Sequence, residues 1–324
     1  MCFFGERPLP RGASAARRDG AVSAARGVAI LVLLFFFATV PRAESEETAS
    51  IDRSRYLMGA PLRIQAEGKP ASALDPAVEA AFARVESLDR TLSNWNDAGE
   101  LRRLNEILSR STPGAGIPVG RPLGRALRRG LAWARRTGGL FDPALGALLD
   151  AWGVARPPRA GTALPLAAAR AAAGHRLVRL ERTPTGAFRL IARRPGVQLD
   201  LDGIGKGIAL DAAGRVLRRH GVRRALLDFG GQLLAVGEPP PGGWCVAVAH
   251  PLARDIPALV VRLRDGSLAT SGNGERGAIR AGRFAGHVLD PRNGRPTRGR
   301  ASFSVLARTA AAADALATAV AAGG

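Results

Sequence analysis

Lysine is nearly missing from this 324-residue chain. Lys69 and Lys206 are the only two among 47 basic residues, the rest being arginine, and with 27 acidic residues the formal charge is +20. A basic balance of this size invites a nucleic-acid reading, because phosphate neutralisation drives such binding. Aromatic residues make up only 5%, however, and the arginines are scattered rather than gathered in a stripe with interleaved stacking residues. The excess reads as a compositional bias toward arginine, and no nucleic-acid partner is expected. The same bias makes Lys206 informative, since a merely solvated cation could have drifted to arginine. Cysteine is also scarce. Cys2 and Cys245 are the only two, which excludes a disulfide framework and any cysteine-type metal spacing. His175, His220, His250 and His287 are too dispersed along the chain to suggest a zinc site.

Long apolar runs are lacking except for one, GVAILVLLFFFATV, from Gly27 to Val40. As a helix it would span roughly 21 Å, short of the ~30 Å hydrocarbon core of a bilayer. It follows Arg7, Arg11, Arg17, Arg18 and Arg26, and a basic segment before a short apolar one is the pattern of a secretory signal peptide. Pro41-Arg42-Ala43 is a poor small-x-small cleavage site, so an uncleaved N-terminal anchor through residues 27–40 is the alternative. Both versions predict a periplasmic or otherwise extracytoplasmic protein, the second with association to the inner membrane. No cysteine follows the run, so a lipobox is absent. Residues 1–43 are assigned to the leader or anchor, 44–54 to a polar linker, and 55–324 to one large domain.

Within that domain the patterning predicts a mixed α/β, or α+β, fold with central sheets flanked by helices. A first strand is expected over Tyr56–Glu67. Apolar spacing predicts a helix over Asp75–Leu92, with Asp75 and Pro76 as N-cap and first helical residue, and another over Gly120–Thr137, ended by Gly138-Gly139. A third is expected over the alanine-rich Ala163–Ala173. Short strands then follow at Leu177–Leu180, Ala187–Ala192 and Val197–Leu201, and a helix runs from Gly207 to about His220. Further strands are expected at Ala225–Val236, Trp244–Ala249, Ala258–Leu263, His287–Leu289 and Ser302–Ala307. A helix over Ala310–Ala322 closes the chain.

Three segments carry chemistry. In DLDGIGKGIALD (Asp200–Asp211) a strand delivers a carboxylate, glycines expose backbone, and Lys206 stands beside a helix start, where free N–H groups attract anions. This suits a phosphate-bearing ligand, although the segment is neither a Walker A loop nor GxGxxG; the plain alternative is a glycine-rich turn with a surface lysine. In ADALATA (Ala313–Ala319), Asp314 and Thr318 are four apart and share one helix face, offering hard oxygens of the kind Mg²⁺ takes. Taken alone, that pair is more often a dipole-stabilised aspartate and a buried threonine. In GHVLDPRNGRP (Gly286–Pro296), Asp290-Pro291 and Asn293-Gly294 signal turns. His287 stands there as a candidate base, against the commoner case of a structural strand histidine. ATSGN (Ala269–Asn273), which contains Ser271, reads as a small-residue loop able to approach a ligand. FDPALGALLDAWG (Phe141–Gly153) places Asp142 before Pro143 as a helix start.

In this order and combination the chain from Met58 onward resembles the ApbE family of FAD:protein FMN transferases. The matching blocks are MGAPLRI, LSNWNDAGELRRLN, GLFDPALGALLDAWG, DLDGIGKGIALD, LLDFGGQLLAVG, LATSGN, HVLDPRNGRP and ADALATA. The resemblance implies flavin contacts at Met58, Trp95, Leu140, Phe141, Asp142, Asp200, Lys206 and Val288. It also implies Mg²⁺ held by the Gly203 carbonyl with Asp314 and Thr318. The implied reaction cleaves FAD, links FMN to a threonine or serine hydroxyl of an acceptor protein and releases AMP; for loss of the hydroxyl proton the candidate base is His287, with Asp290 as a lesser one. The implied acceptor is a redox membrane-complex subunit or FMN-binding domain with a threonine-containing motif. The rival readings are an FAD pyrophosphatase giving FMN and AMP, and a non-catalytic periplasmic FAD-binding protein.

Overall fold

Alternating side chains decide where the chain begins to pack. The computed structural model describes residues 49–324 except 69, 155–162, 238, 254, 273–276, 281–282 and 298–300, so the leader or anchor expected over 1–43 lies outside the described residues. The first strands are β1 (Ala49–Leu57) and β2 (Ala60–Gly68). Along β2, Leu62, Ile64 and Ala66 are buried while Arg63, Gln65 and Glu67 are half-exposed, the period-two pattern of a strand with one face on the core. The single strand expected over Tyr56–Glu67 is therefore a hairpin. Met58 and Gly59 both take positive φ, 46° and 75°, as a two-residue turn between antiparallel strands requires. Methionine is uncommon in such a turn, which hides it from a sequence reading. The linker expected over 44–54 is corrected too: the chain is already β1 from Ala49. Its polar residues suit a sheet edge, where Asp52 accepts from Arg63 Nε at 2.9 Å.

The remaining elements are α1 (Ala71–Leu92), α2 (Glu100–Arg110), β3 (Gly116–Val119), α3 (Arg121–Arg136), α4 (Gly146–Trp152) and α5 (Leu166–Ala171). They continue with β4 (Val178–Arg182), β5 (Phe188–Ala192), α6 (Asp202–Arg219), β6 (Arg224–Phe229), β7 (Gln232–Gly237), β8 (Trp244–Ala249) and β9 (Pro257–Leu263). The chain ends with β10 (Ser267–Gly272), β11 (Gly277–Arg280), β12 (Arg283–Gly286), β13 (Leu289–Asp290), β14 (Arg295–Pro296), β15 (Ser302–Ala307) and α7 (Ala310–Gly323). The mixed α+β expectation holds. Among the described residues no helix is long and apolar enough to cross a membrane.

A six-stranded sheet, ordered β1–β2–β6–β7–β10–β15 and antiparallel throughout, forms the centre. Helices α1, α6 and α7 pack against it, and Ala225, Leu227 and Phe229 of β6 are fully buried in the shared core. The β8–β9 hairpin forms a separate small core, Val246 and Leu263 meeting Ala235 and Leu268. A smaller sheet, β3–β5–β4, packs with α3.

Several expectations shift for local reasons. Helix α1 starts at Ala71, with Pro76 inside it, because Leu74 extends the buried stripe of Val78 and Phe82 by one turn. The strand expected over Ala225–Val236 breaks at Gly230-Gly231, with φ of 60° and 89°, into β6 and β7. The residues Ala269–Gly272, read as loop, complete β10. Helix α2 was not anticipated at all.

Helices α6 and α7 approach backbone to backbone, since small residues dominate both. A β-carbon on Gly207 would lie 2.4 Å from the Ala310 carbonyl oxygen. Asp211 on α6 accepts from the free N–H groups of Ala310 at 2.8 Å and Ala311 at 3.4 Å, capping α7. In return Asp314 Oδ2 on α7 accepts from Gly207 N at 2.9 Å. Gly207→Ala should therefore destabilise the fold by about 1–3 kcal/mol even though alanine favours a helix by about 1 kcal/mol. Denaturant unfolding checks this, and a variant as stable as the parent would contradict so close a contact.

Candidate functional site

The run Val197–Leu201, expected as a strand, pairs in no sheet. Its backbone hydrogen bonds go to side-chain amides and to the loop backbone at Pro143 and Gly146 instead. Leu199 N donates to Asn105 Oδ1 at 2.8 Å, and the Leu199 carbonyl accepts from Asn94 Nδ2 at 3.0 Å and Asn105 Nδ2 at 2.9 Å. Asp200 N donates to the Pro143 carbonyl at 2.8 Å. Val197, Leu199 and Leu201 anchor the segment in the core, each at most 1% exposed. This amide frame delivers Asp200, itself buried, with Oδ2 accepting from Asn94 Nδ2 at 3.2 Å and Oδ1 from Asp202 N at 2.8 Å. The second of these bonds satisfies a donor in the first turn of α6. Asn94 and Asn105 were missed by sequence reasoning. A signal existed for Asn105, an amide within the buried stripe Leu101, Leu104, Leu108 of α2.

Glycines 203 to 207 are not a loop, as the sequence suggested, but the first turns of α6. Their small size lets three elements close on the helix start. A β-carbon on Gly203 would come within 3.1 Å of Thr318 Oγ1 and 3.2 Å of the Phe141 ring, and one on Gly205 within 3.4 Å of Met58 Cε. Thr318 Oγ1 donates to the Gly203 carbonyl at 3.3 Å. Asp314, one turn earlier on the same face of α7, is 7% exposed. Burial pushes its carboxyl from 3.8 up to about 6, opposed by the positive charge of Lys206 and the Gly207 N–H, and assisted by Asp211. So the Gly203 carbonyl, Thr318 hydroxyl and Asp314 carboxylate converge, with half-buried Lys206 alongside.

These three oxygens fit a hard divalent cation. They are the donor types Mg²⁺ takes, and a buried carboxylate held out of water gains from a cation. Among the described residues there is no cluster of three or more His, Cys, Asp and Glu able to hold a metal. The set is therefore partial, of the kind that water and ligand phosphate complete.

The residues implied in flavin contact divide into two groups. Met58, Phe141, Asp200 and Lys206 surround the start of α6. Leu140 and Val288 lie along the end of α7, Leu140 near Gly323 and Val288 against Ala321 and Ala322. Met58 is fixed by its backbone N–H donating to Asp89 Oδ2 at 3.1 Å. Trp95 is half-buried beside Asn94, its N–H on Ser93 Oγ at 3.0 Å. Asp142 does not start a helix, for α4 begins at Gly146. Its carboxylate is occupied instead, Oδ1 accepting from Ala144 N at 2.8 Å and Oδ2 contacting His175 N and Nδ1, both at 2.7 Å. Only the backbone around Asp142 is left to face a ligand. Ser271, placed by the sequence in a loop, sits in β10 opposite Phe303, two residues from Ala269, which packs on α7.

His287 is half-buried next to Val288. Asp290 is a different case. Oδ1 accepts from Arg292 N and Nε, both at 2.9 Å, and Oδ2 from Arg292 Nη2 at 3.2 Å and Asn293 Nδ2 at 2.6 Å. Burial pushes its carboxyl up, yet Arg292 and Asn293 outweigh that and hold it below the usual range. A carboxylate so committed is a weak base. The structure therefore makes Asp290 the hub of a turn.

The start of α6 with its glycines and Lys206 thus stands beside a partial hard-oxygen set within an α+β fold. A family model described as the ApbE family matches residues 58–324, and the chain belongs to that family. It is 34% identical over 273 residues to the FAD:protein FMN transferase of Rhodobacter capsulatus, covering 83% of this chain and 51% of that protein. It therefore spans about half the length of that relative. The protein of the same name from Treponema pallidum is 33% identical over 283 residues, covering 82% of this chain and 77% of the relative. Among solved structures, the ApbE protein of Thermotoga maritima superposes with a TM-score of 0.72 at 25% identity, over 85% of this chain and 87% of that one. The apo flavinyl transferase ApbE of Pseudomonas stutzeri gives 0.70 at 26%, over 85% of each.

The raised carboxyl of Asp314 has a definite sign. Protonated, it costs no stability; as pH rises from 3.8 to 6 the folded protein must give up a proton it holds more tightly than the unfolded chain does. The penalty is complete above pH 6 and amounts to about 3 kcal/mol. Asp314→Asn keeps an acceptor for the Gly207 N–H and removes the charge. In EDTA at pH 7.5 it should raise stability by about 1–3 kcal/mol, an advantage that vanishes at pH 4. Denaturant melts at the two pH values read this directly, and equal stability at pH 7.5 would refute it.

Proposed function

We propose that this chain is a magnesium-dependent FAD:protein FMN transferase. The observation that carries the reading is the meeting of the Gly203 carbonyl, Thr318 and Asp314 at the start of α6, beside Lys206. The names of the relatives support the same activity. The Lys206 ammonium beside the start of α6, with the positive end of that helix, binds the FAD pyrophosphate. Met58, Trp95, Leu140, Phe141 and Val288 offer the apolar surface for the flavin ring. Asp200 and the backbone of Asp142 give it polar contacts, and Ser271 borders the site from β10. Asp314, Thr318 and the Gly203 carbonyl hold Mg²⁺, which when bound offsets phosphate charge.

An acceptor hydroxyl attacks the phosphorus on the FMN side, its oxygen forming the new phosphoester as the bond to the AMP phosphate breaks. AMP leaves. His287 takes the hydroxyl proton. The acceptor is an exported or membrane-bound redox subunit, or an FMN-binding domain, carrying a threonine-containing motif. The apolar run over residues 27–40 supports export to the periplasm, with the run as signal peptide or inner-membrane anchor.

The test is incubation of the purified protein with FAD, Mg²⁺ and such an acceptor domain, followed by a denaturing gel viewed for flavin fluorescence. A covalent band is expected, lost in EDTA and in Asp314→Ala, and slowed about 10²- to 10⁴-fold in His287→Ala. Free FMN and AMP without a band would make the protein a hydrolase. Transfer at the parental rate in His287→Ala would remove that residue from the mechanism.

A further inference from the structure

Arg121, Arg125 and Arg128 are spaced four and three residues apart, so they share one face of α3. Opposite them, the end of β4 brings in Arg182. Together these side chains line a concavity of about 330 Å³ floored by Phe188. The construction is specific. Phe188 is 4% exposed and lies where only glycine fits on the helix, a β-carbon on Gly124 falling 2.2 Å from its ring. Arg121 donates to the Thr185 carbonyl at 2.9 Å, which ties the helix to the turn across the concavity.

Several other surface arginines are matched: Arg55 with Glu79 and Glu86, Arg63 with Asp52, Arg102 with Asp97 and Glu106, Arg224 with Glu67. Among the described residues, no carboxylate pairs with Arg125, Arg128 or Arg182. A bias toward arginine explains how many such residues the chain has. It does not explain four cations turned into one recess without a counter-charge, where like charges repel and field lines concentrate. The recess is also remote from the flavin segments. Leu140 and Phe141 follow the C-terminal end of α3, whereas Arg121 opens the other end of a 16-residue helix, roughly 24 Å long.

We propose that this recess is a second anion site, binding a ligand with clustered phosphate groups. Guanidinium forks match phosphate oxygens in pairs, and four of them exceed what a single phosphate monoester needs. The volume, about ten times a water's share of the liquid, also suits a diphosphate or larger group. A soluble polyphosphorylated molecule and a phospholipid headgroup offer this same chemistry. The proposal stands apart from the flavin reaction and does not rest on it.

The probe is inorganic pyrophosphate, titrated calorimetrically into the full chain in EDTA at moderate salt. The comparison is with Arg125→Gln/Arg128→Gln, which spares the Arg121 bond to Thr185; a thermal melt confirms folding. Binding at least tenfold weaker in the double variant, with FMN transfer unchanged, is expected. Lysine at both positions should restore it only partly, because an ammonium lacks the fork. Equal binding by both proteins overturns the proposal, as does no binding by the parent at millimolar pyrophosphate. Co-sedimentation with phosphatidylglycerol vesicles, against phosphatidylcholine, then separates the sources. Recruitment that depends on Arg125 and Arg128 assigns the recess to a lipid headgroup, and arginine-dependent pyrophosphate binding without it assigns a soluble ligand.

Discussion

Helices α6 and α7 touch at Gly207 and Ala310 with no side chain between them, and each carries a buried aspartate that satisfies the other's backbone. Asp211 caps α7; Asp314 accepts from α6. The remaining geometry of the site follows from this contact. It sets Thr318 against the Gly203 carbonyl and aligns the start of α6 with the middle of α7. A hard-oxygen set assembled from a carbonyl on one helix and two side chains on the other needs the two axes fixed closely. Backbone contact does that more rigidly than interleaved large side chains would.

The same contact carries a cost. Burial pushes both Asp211 and Asp314 toward their neutral forms. Asp211 recovers part of that through two N–H bonds at the start of α7. Asp314 has one such bond and the nearby Lys206, leaving it the less satisfied of the two. The site is thus strained electrostatically rather than sterically. A cation beside Asp314 would relieve that strain.

How much could be read from the chain alone depends on whether the information was local. The Asp314–Thr318 spacing and the Lys206 exception to arginine are local, and the structure puts the pair on one face of α7 and Lys206 in the first turns of α6, whereas the glycines read as a turn before that helix lie inside it. Terminal helix α7 and strands β8 and β15 were bounded almost to the residue, because period and composition change sharply at their ends. What escaped was set by distant partners. Nothing in QLDLD says that its backbone will bond to Asn94 and Asn105 rather than to a strand. Nothing beside Asp142 points to His175, thirty-three residues on. Asp290 looked available for catalysis because its captors, Arg292 and Asn293, read as ordinary turn residues. The Met58-Gly59 turn was missed for a propensity reason, methionine being a poor advertisement for positive φ.

The bonds that join α6 to α7 close over 99 to 115 residues of intervening chain. Closing loops of that length is slow compared with local folding, and a ribosome makes α7 only after every other element described above. The central sheet also waits, since β15 immediately precedes that helix. A growing chain therefore holds Lys206 and its glycines long before it holds Asp314 and Thr318. Until α7 has been made, the nascent polypeptide holds only half of the cradle, and the set of oxygens is complete only when that helix docks.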